Sequence, residues 1–190
     1  LSGAKLDGCN FVGANLSGSD LFGADLSKAD LRNANLSKSD LRGAQLYRAD
    51  LTGANLASAD MRPGALMDAK SKLTKKQMTD EERMRAQMVA AEIGRTNMAS
   101  ATLNAANMSS ADMYKANLHE AKLANANLTS ARLKDADISS ADLSGANFEG
   151  AELTGANLKG ALMVGTNLHN ADLTNVEMPA MSEELAEDVQ

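Results

Sequence analysis

Every fifth residue of this chain is apolar over most of its length, a period that neither an α-helix nor a flat strand can use. Ala14-Asn15-Leu16-Ser17-Gly18 shows the unit: a small apolar residue, Asn or Asp, a Leu-type centre, then two small or polar residues. The centres run from Leu1 to Met61 and again from Met98 to Met178. Five residues advance an α-helix by roughly 500°, so the leucines would wind around the cylinder instead of forming one stripe. In a strand, side chains alternate with period two, and an odd repeat sends the next Leu to the opposite face. The remaining solution is a short extended piece with two inward residues, such as Ala24 and Leu26, and Asp25 pointing outward between them. The chain then bends so that Ala29 and Leu31 point inward again. Gly13, Gly18, Gly23, Asn33, Gly43 and Gly53 sit where the bends must fall, and these residue types suit turns. A chain that bends at every repeat builds a solenoid in which each coil covers its neighbour.

A longer period lies over the first. Gly13 to Arg32 reads GANLSGSDLFGADLSKADLR, Asn33 to Thr52 reads NANLSKSDLRGAQLYRADLT, and GANLASADM follows. The superperiod is 20 residues, four pentads, which predicts four sides per coil with residues 20 apart stacked.

These successive A(D/N)LXX units resemble the pentapeptide repeat family. The resemblance covers most of the chain, about 30 pentads by counting centres. It implies an all-β solenoid, a right-handed four-sided parallel β-helix with β-turn corners. At ~4.8 Å per layer, roughly 7.5 coils would make a rod of about 36 Å.

The repeats divide the chain into array 1 over residues 1–61, an interruption over 62–95, array 2 over 96–180 and a tail over 181–190. The interruption breaks period and composition. Pro63-Gly64 opens it as a turn, and Lys70, Lys72, Lys75 and Lys76 follow as a basic loop. Thr79-Asp80-Glu81-Glu82 reads as a capping box for a short α-helix over about 80–93, with Met84, Met88 and Ala91 on one face and Gly94 as its stop. Ala86-Gln87-Met88 and Ala91-Glu92-Ile93 are also in phase with array 2, so array 2 starts either near 86 or near 96. Leu66 is in phase with array 1. The tail, with Ser182 as N-cap and Leu185 and Val189 on one face, predicts a short C-terminal helix capping the open end of the solenoid.

Charge separates these pieces. Array 1 carries six Lys/Arg against seven Asp, and array 2 five against nine acids. The interruption carries eight against five, the tail four acids and no base. The solenoid core is a narrow stack of Leu over Leu and Ala over Ala, with Phe11 and Phe148 among the centres. Cys9 takes an Ala-type inward position and reads as a small buried hydrophobe, and a lone cysteine fits a reducing, cytoplasmic setting. No run approaches ~20 apolar residues, so no membrane-spanning helix is expected. The chain opens at Leu1 inside a repeat, which reads as an excised fragment.

No residue pattern calls for catalysis, a cofactor or a metal. His119 and His169 are 50 residues apart, two and a half coils, on opposite sides. The glycines recur at corner positions, and nothing resembles GxxxxGK[ST]. The chain is therefore expected to be a non-enzymatic interaction scaffold. It would present the interruption to a protein partner, with Lys70, Lys72, Lys75, Lys76, Met84 and Met88 as candidate contacts. Two alternatives stand beside this. Asp20, Asp40 and Asp60 stack as an acidic ladder, and a rod lined with carboxylates can imitate DNA. The family resemblance extends to quinolone-resistance-type members that imitate duplex DNA and bind DNA gyrase. Arg42 and Arg62, on the same side, would partly neutralise that ladder. Asp112, Arg132, Glu152 and Asp172 form another, mixed column. Asn15, Asn35 and Asn55 line one column, and Asn107, Asn127, Asn147 and Asn167 a different one. The second alternative is a repeat domain of a larger enzyme or effector. Direct nucleic-acid binding is not expected; end-to-end pairing of two rods is a further option.

Overall fold

The computed structural model describes residues 1–63 and 95–179, and all of them belong to one four-sided coil. The expected helix over about 80–93, the C-terminal capping helix, and the choice of Leu66 or residue 86 as an array boundary lie outside these residues. Each pentad pairs with the next coil through a single outward residue rather than through a continuous strand. Lys5 bridges Asp25, Asp25 bridges Gln45, and Gln45 bridges Asn97, all in parallel.

One pentad accounts for every backbone N–H it contains. The Asp25 N–H donates to the Ala4 carbonyl in the preceding coil, at 2.9 Å. The Leu26 and Lys28 N–H groups donate to Gln45 and Tyr47 carbonyls in the following coil, at 2.7 and 2.9 Å. The Ala29 N–H closes the corner on the Leu26 carbonyl at 3.0 Å. Only the Ser27 N–H has no carbonyl, and Asp25 Oδ1 accepts it at 3.1 Å. A buried or half-buried amide left unpaired is costly, and Asp or Asn has the one-carbon reach needed to bond the N–H two residues on. The Asp/Asn position of the motif is therefore a turn cap.

The second turn residue lies in the left-handed region at every described corner except one, with φ between 53° at Ser100 and 69° at Gly155. Glycine fits there at no steric cost, whereas Lys28, Lys38, Arg48, Lys115 and Glu120 hold the same conformation against it.

Inside, Leu and Ala stack in separate columns. The first side carries Leu21, Leu41, Met61, Met113, Leu133 and Leu153, and the second Leu26, Leu46, Met98, Leu118, Ile138 and Leu158, all fully or almost fully buried. The third side follows from Leu31 and Leu51, and the fourth from Leu36 and Leu56 to Phe148. Cys9 is only half buried, because it belongs to the first coil, which has a covering layer on one side only.

The interruption leaves from one corner and returns to it. Within array 1 bridged residues are 20 apart, but Gln45 pairs with Asn97, Asp50 with Thr102, Asn55 with Asn107 and Asp60 with Asp112. Asn97 thus occupies the next bridge position after Asp60, and the coil closes as if the excursion were not there. Pro63 stands at the corner position that is left-handed elsewhere. Its ring fixes φ near −65°, so the chain cannot complete that corner. The neighbouring corner shows what is lost: the Gly23 N–H donates to the Arg42 carbonyl, but the Gly43 N–H has no such carbonyl to reach. Thr96, fully buried at an Ala-type position, supplies a hydroxyl instead. Its Oγ1 accepts from the Gly43 N–H at 3.1 Å and donates to the Leu41 carbonyl at 2.8 Å.

Truncating a fully buried leucine in this stack should cost ~2–5 kcal/mol. Leu36→Ala is expected to fall in that range by denaturant unfolding, whereas exposed Leu162→Ala should cost less than ~1 kcal/mol. Equal losses would contradict the inward assignment.

Candidate functional site

The sequence-based columns that stop at the interruption are continuous in the structure. Asp20, Asp40 and Asp60 stack as expected, and the Asp60–Asp112 bridge carries the same column on through Arg132, Glu152 and Asp172. What the sequence suggested as two columns is one. The same holds for asparagine: Asn15, Asn35, Asn55, Asn107, Asn127, Asn147 and Asn167 form a single ladder on the fourth side. Both mergers follow from the return of the chain in register at Asn97.

The two ladders solve the same stacking problem differently. In the asparagine ladder each Oδ1 caps its own turn, while the amide NH2 reaches the neighbouring layer. Asn55 Nδ2 donates to Asn35 Oδ1 at 3.3 Å, Asn107 to Asn55 at 3.4 Å, Asn127 to Asn107 at 3.3 Å and Asn167 to Asn147 at 2.9 Å. Carboxylates cannot donate in this way, and stacked at ~4.8 Å they repel. Arg42 and Arg62 from the turns, and Arg132 from the column itself, lie between the carboxylates of the first side. Arg42 forms a two-pronged bond to Asp40, its Nη2–Oδ2 distance being 2.6 Å, and its Nε lies 3.6 Å from Asp60. Arg62 repeats the arrangement, 2.6 Å to Asp60 and 3.6 Å to Asp112. Arg132 then joins Asp112 at 2.8 Å to Glu152 at 3.3 Å. The result is an alternating ionic ladder that crosses the root of the excursion.

These contacts set the carboxylate chemistry. The Arg42 hydrogen bond holds Asp40 below the usual carboxylate range, against a smaller opposing effect of burial. For Asp60 burial is the largest influence and acts upward, but the Arg62 hydrogen bonds and the charges of Arg62 and Arg42 together leave it lowered. Asp40 and Asp60 are therefore ionised, capped and paired, whereas Asp20 accepts the Phe22 N–H and forms no salt bridge among the described residues.

Lys70, Lys72, Lys75, Lys76, Met84 and Met88 lie outside the described residues. His119 and His169 follow centres on opposite sides, as their spacing requires. His119 Nδ1 is 2.9 Å from Ser139 Oγ. Among the described residues, no group of three His, Cys, Asp or Glu side chains could hold a metal ion, and no helix is long and apolar enough to cross a membrane.

A feature missed by the sequence reading lies in the turns. All three outward aromatics, Phe22, Tyr47 and Tyr114, are on the first two sides, and each carries a cation over its ring. Arg42 lies 5.4 Å from the Phe22 centroid, Arg48 5.7 Å from Tyr47 and Lys115 5.1 Å from Tyr114. The dipeptides Tyr47-Arg48 and Tyr114-Lys115 were the available signal.

The pentad geometry defines a repeat solenoid, and comparison with known proteins gives its family. The family model for pentapeptide repeats matches residues 1–37, 29–62, 85–119, 111–150 and 151–179, so this chain belongs to the pentapeptide repeat family. Its structure is similar to that of HetL, a pentapeptide repeat protein involved in heterocyst differentiation regulation from the cyanobacterium Nostoc sp. strain PCC 7120. That match has 33% identity, covers 96% of this chain and 71% of HetL, and has a TM-score of 0.58. The Nostoc pentapeptide repeat protein alr5209 is 34% identical over 55% of this chain and 89% of its own, with a TM-score of 0.41. QnrB1, a plasmid-mediated fluoroquinolone resistance protein, is 17% identical over 97% of this chain and 84% of its own, with a TM-score of 0.48. The search of curated proteins finds no match.

Because native Asp40 and Asp60 bind protons more weakly than in the unfolded chain, their pairing stabilises the fold above the unfolded carboxylate value and is lost as pH falls through the lowered native values. Replacing Arg42 and Arg62 together by Met should lower the urea midpoint at pH 7. The difference from the parent should shrink below about pH 4 and in about 1 M salt. A pH-independent difference would assign the arginines a packing role alone.

Proposed function

We propose that this chain is a non-enzymatic, cytoplasmic interaction scaffold: a rigid pentapeptide-repeat rod that presents the excursion over residues 62–95 to a protein partner. The observation that carries this reading is the register across the excursion. Asp60 pairs with Asp112 and Gln45 with Asn97 as though the rod were uninterrupted, while Pro63 prevents the corner from closing. A departure that leaves the scaffold intact, yet is built into it by a proline and a buried threonine hydroxyl, fits a presented element. Its basic loop, Lys70, Lys72, Lys75 and Lys76, and the Met84–Met88 pair are the proposed contacts, since methionine suits adaptable protein surfaces. HetL's involvement in a regulatory process is compatible with an interaction role.

The acidic column supports the scaffold reading over DNA mimicry. Its aspartates cap turns, and Arg42, Arg62 and Arg132 pair with Asp40, Asp60 and Asp112. A DNA-like surface needs unpaired, regularly spaced negative charge. On this reading, a gyrase supercoiling assay should show no inhibition and no protection from a quinolone; inhibition at micromolar protein would restore the mimic.

Deleting Pro63 to Gly94 joins Arg62 to Arg95 and restores the 20-residue spacing between Asp60 and the following layers. The deleted protein should keep the parent's circular dichroism and cooperative unfolding while losing the proteins that the parent retains in a pull-down. Loss of fold, or an unchanged set of retained proteins, would remove the excursion as the recognition element.

A further inference from the structure

We infer that the third side of the rod is an interface with a second copy of this chain, the two rods lying side by side and antiparallel. The third side is a strip of seven rows, one per coil, stacked along the bridges from Asn10 through Thr102 to Leu162. Each row shows three outward residues: the last corner residue of the second side, the bridge residue, and the first turn residue of the third side. Gly8, Asn10 and Val12 make the first row, Ser100, Thr102 and Asn104 the middle one, and Gly160, Leu162 and Val164 the last. Among the described residues, Val12, Leu162 and Val164 are the only Val, Leu, Ile or Met at outward positions of any side, and they are 46%, 52% and 69% exposed. All three lie on the third side, at its two ends.

Charge decides the occupant. The seven rows carry four cations and four acids, so the strip is neutral as a whole and offers little to a ligand of one sign. Its charges instead stand in an order that complements its own reverse. A two-fold axis across the strip at Thr102 turns one rod end for end, setting the first row against the last, the second against the sixth and the third against the fifth. In the third and fifth rows Arg48 then faces Glu120 of the second copy, and Asp50 faces Lys122, each pair occurring twice. In the second and sixth rows Lys28, Asp30 and Arg32 face Ser140, Asp142 and Ser144, so two cations flank the one pair of facing carboxylates. The middle row meets itself without charge. At the ends Val12 meets Val164, and Leu162 is covered by the first row of the other rod. Parallel pairing of the same strips would set Asp50 on Asp50 and Lys122 on Lys122, and like charges directly opposite repel.

Two departures from the motif point the same way. Lys122 and Leu162 stand at bridge positions, where Asp or Asn would cap the turn, and both are exposed. Lys122 forfeits its own cap, which Asn104 of the preceding layer supplies at 3.0 Å. Neither residue serves the inner stack, and both fit an opposed surface of this composition. At ~4.8 Å per layer and ~3.3 Å per residue the strip is about 29 Å long and about 13 Å wide. That is smaller than the ~800 Å² per partner of a standard interface, so a dissociation constant of about 10–100 µM is expected. The root of the excursion lies at the corner between the first and second sides, away from this interface, and the inference holds whatever the excursion binds.

Sedimentation velocity of the full chain between about 5 and about 200 µM tests this, and the parent should pass from monomer to dimer across that range. Arg48→Glu sets an acid against Glu120, and Glu120→Arg sets a cation against Arg48, so each variant alone should dissociate at least about tenfold more readily. An equimolar mixture of the two variants should recover the dimer, because every facing pair at these corners is then opposite in sign. Neither residue enters the core, and both variants should keep the parent's unfolding midpoint. Leu162→Asn with Val164→Ser restores the motif; it should weaken the dimer about tenfold and leave the midpoint equal or higher. Ser109→Glu, on a fourth-side turn, should leave the dimer unchanged. A parent that stays monomeric at about 200 µM, single charge variants that dimerise like the parent, or a mixture that associates no better than its components would each overturn the assignment. So would dimerisation that appears only when residues 180–190 are removed, which would give Leu162 and Val164 to the tail.

Discussion

The fold depends on one backbone amide that no neighbouring coil can reach. Four of the five N–H groups in a pentad find carbonyls, two in the following coil, one in the preceding coil and one across the corner. The fifth, on the residue after the centre, points along the outside and must be bonded by a side chain. Asp25 does this for Ser27, Asn35 for Ser37 and Asp142 for Ser144. The outward Asp or Asn is thus as much a part of the backbone scaffold as the inward Leu. It follows that the commonest surface residues of the rod are committed to structure, and that carboxylates alone say little about what the rod binds.

The columns add a second layer to the same constraint. Residues stacked every coil must tolerate their own copies. Amides do so by donating to each other, and carboxylates do so when arginines from the turns come between them. At Lys122 the bridge residue cannot cap, and the Ala124 N–H is instead bonded by Asn104 Oδ1 from the preceding layer, at 3.0 Å. At Leu162 the bridge residue is apolar, and it and Val164 form the most exposed apolar pair on the third side. Departures from the motif are therefore handled locally or left visible, without disturbing the inner stack.

What was legible in the sequence was what repeats. Leu26 and Ala24 could be placed inside and Asp25 outside because their environment recurs with fixed spacing, and the four-sided coil followed from the match of Asn15 with Asn35 and Asn55. The joining of columns across the interruption was not legible. It depends on where the chain re-enters, and Met98 alone leaves several phases open. The role of Thr96 was not legible, because nothing in a pattern of residue types reveals that a hydroxyl must replace a missing carbonyl. The tyrosine–cation corners escaped for a related reason: residue types alone do not show Arg48 and Lys115 lying over the rings of Tyr47 and Tyr114. A repeat-based reading averages over such exceptions.

Near-identical pentads carry a hazard of their own. A rod assembled one whole coil out of step would still place Leu on Leu and Asn on Asn, and would satisfy almost every hydrogen bond of the correct structure. Pro63 and Thr96 remove that degeneracy. Only one alignment sets the corner that cannot turn beside the hydroxyl that bonds Gly43 and Leu41. The break in the pattern thereby acts as an index mark, giving a self-similar chain one place from which all its other coils are counted.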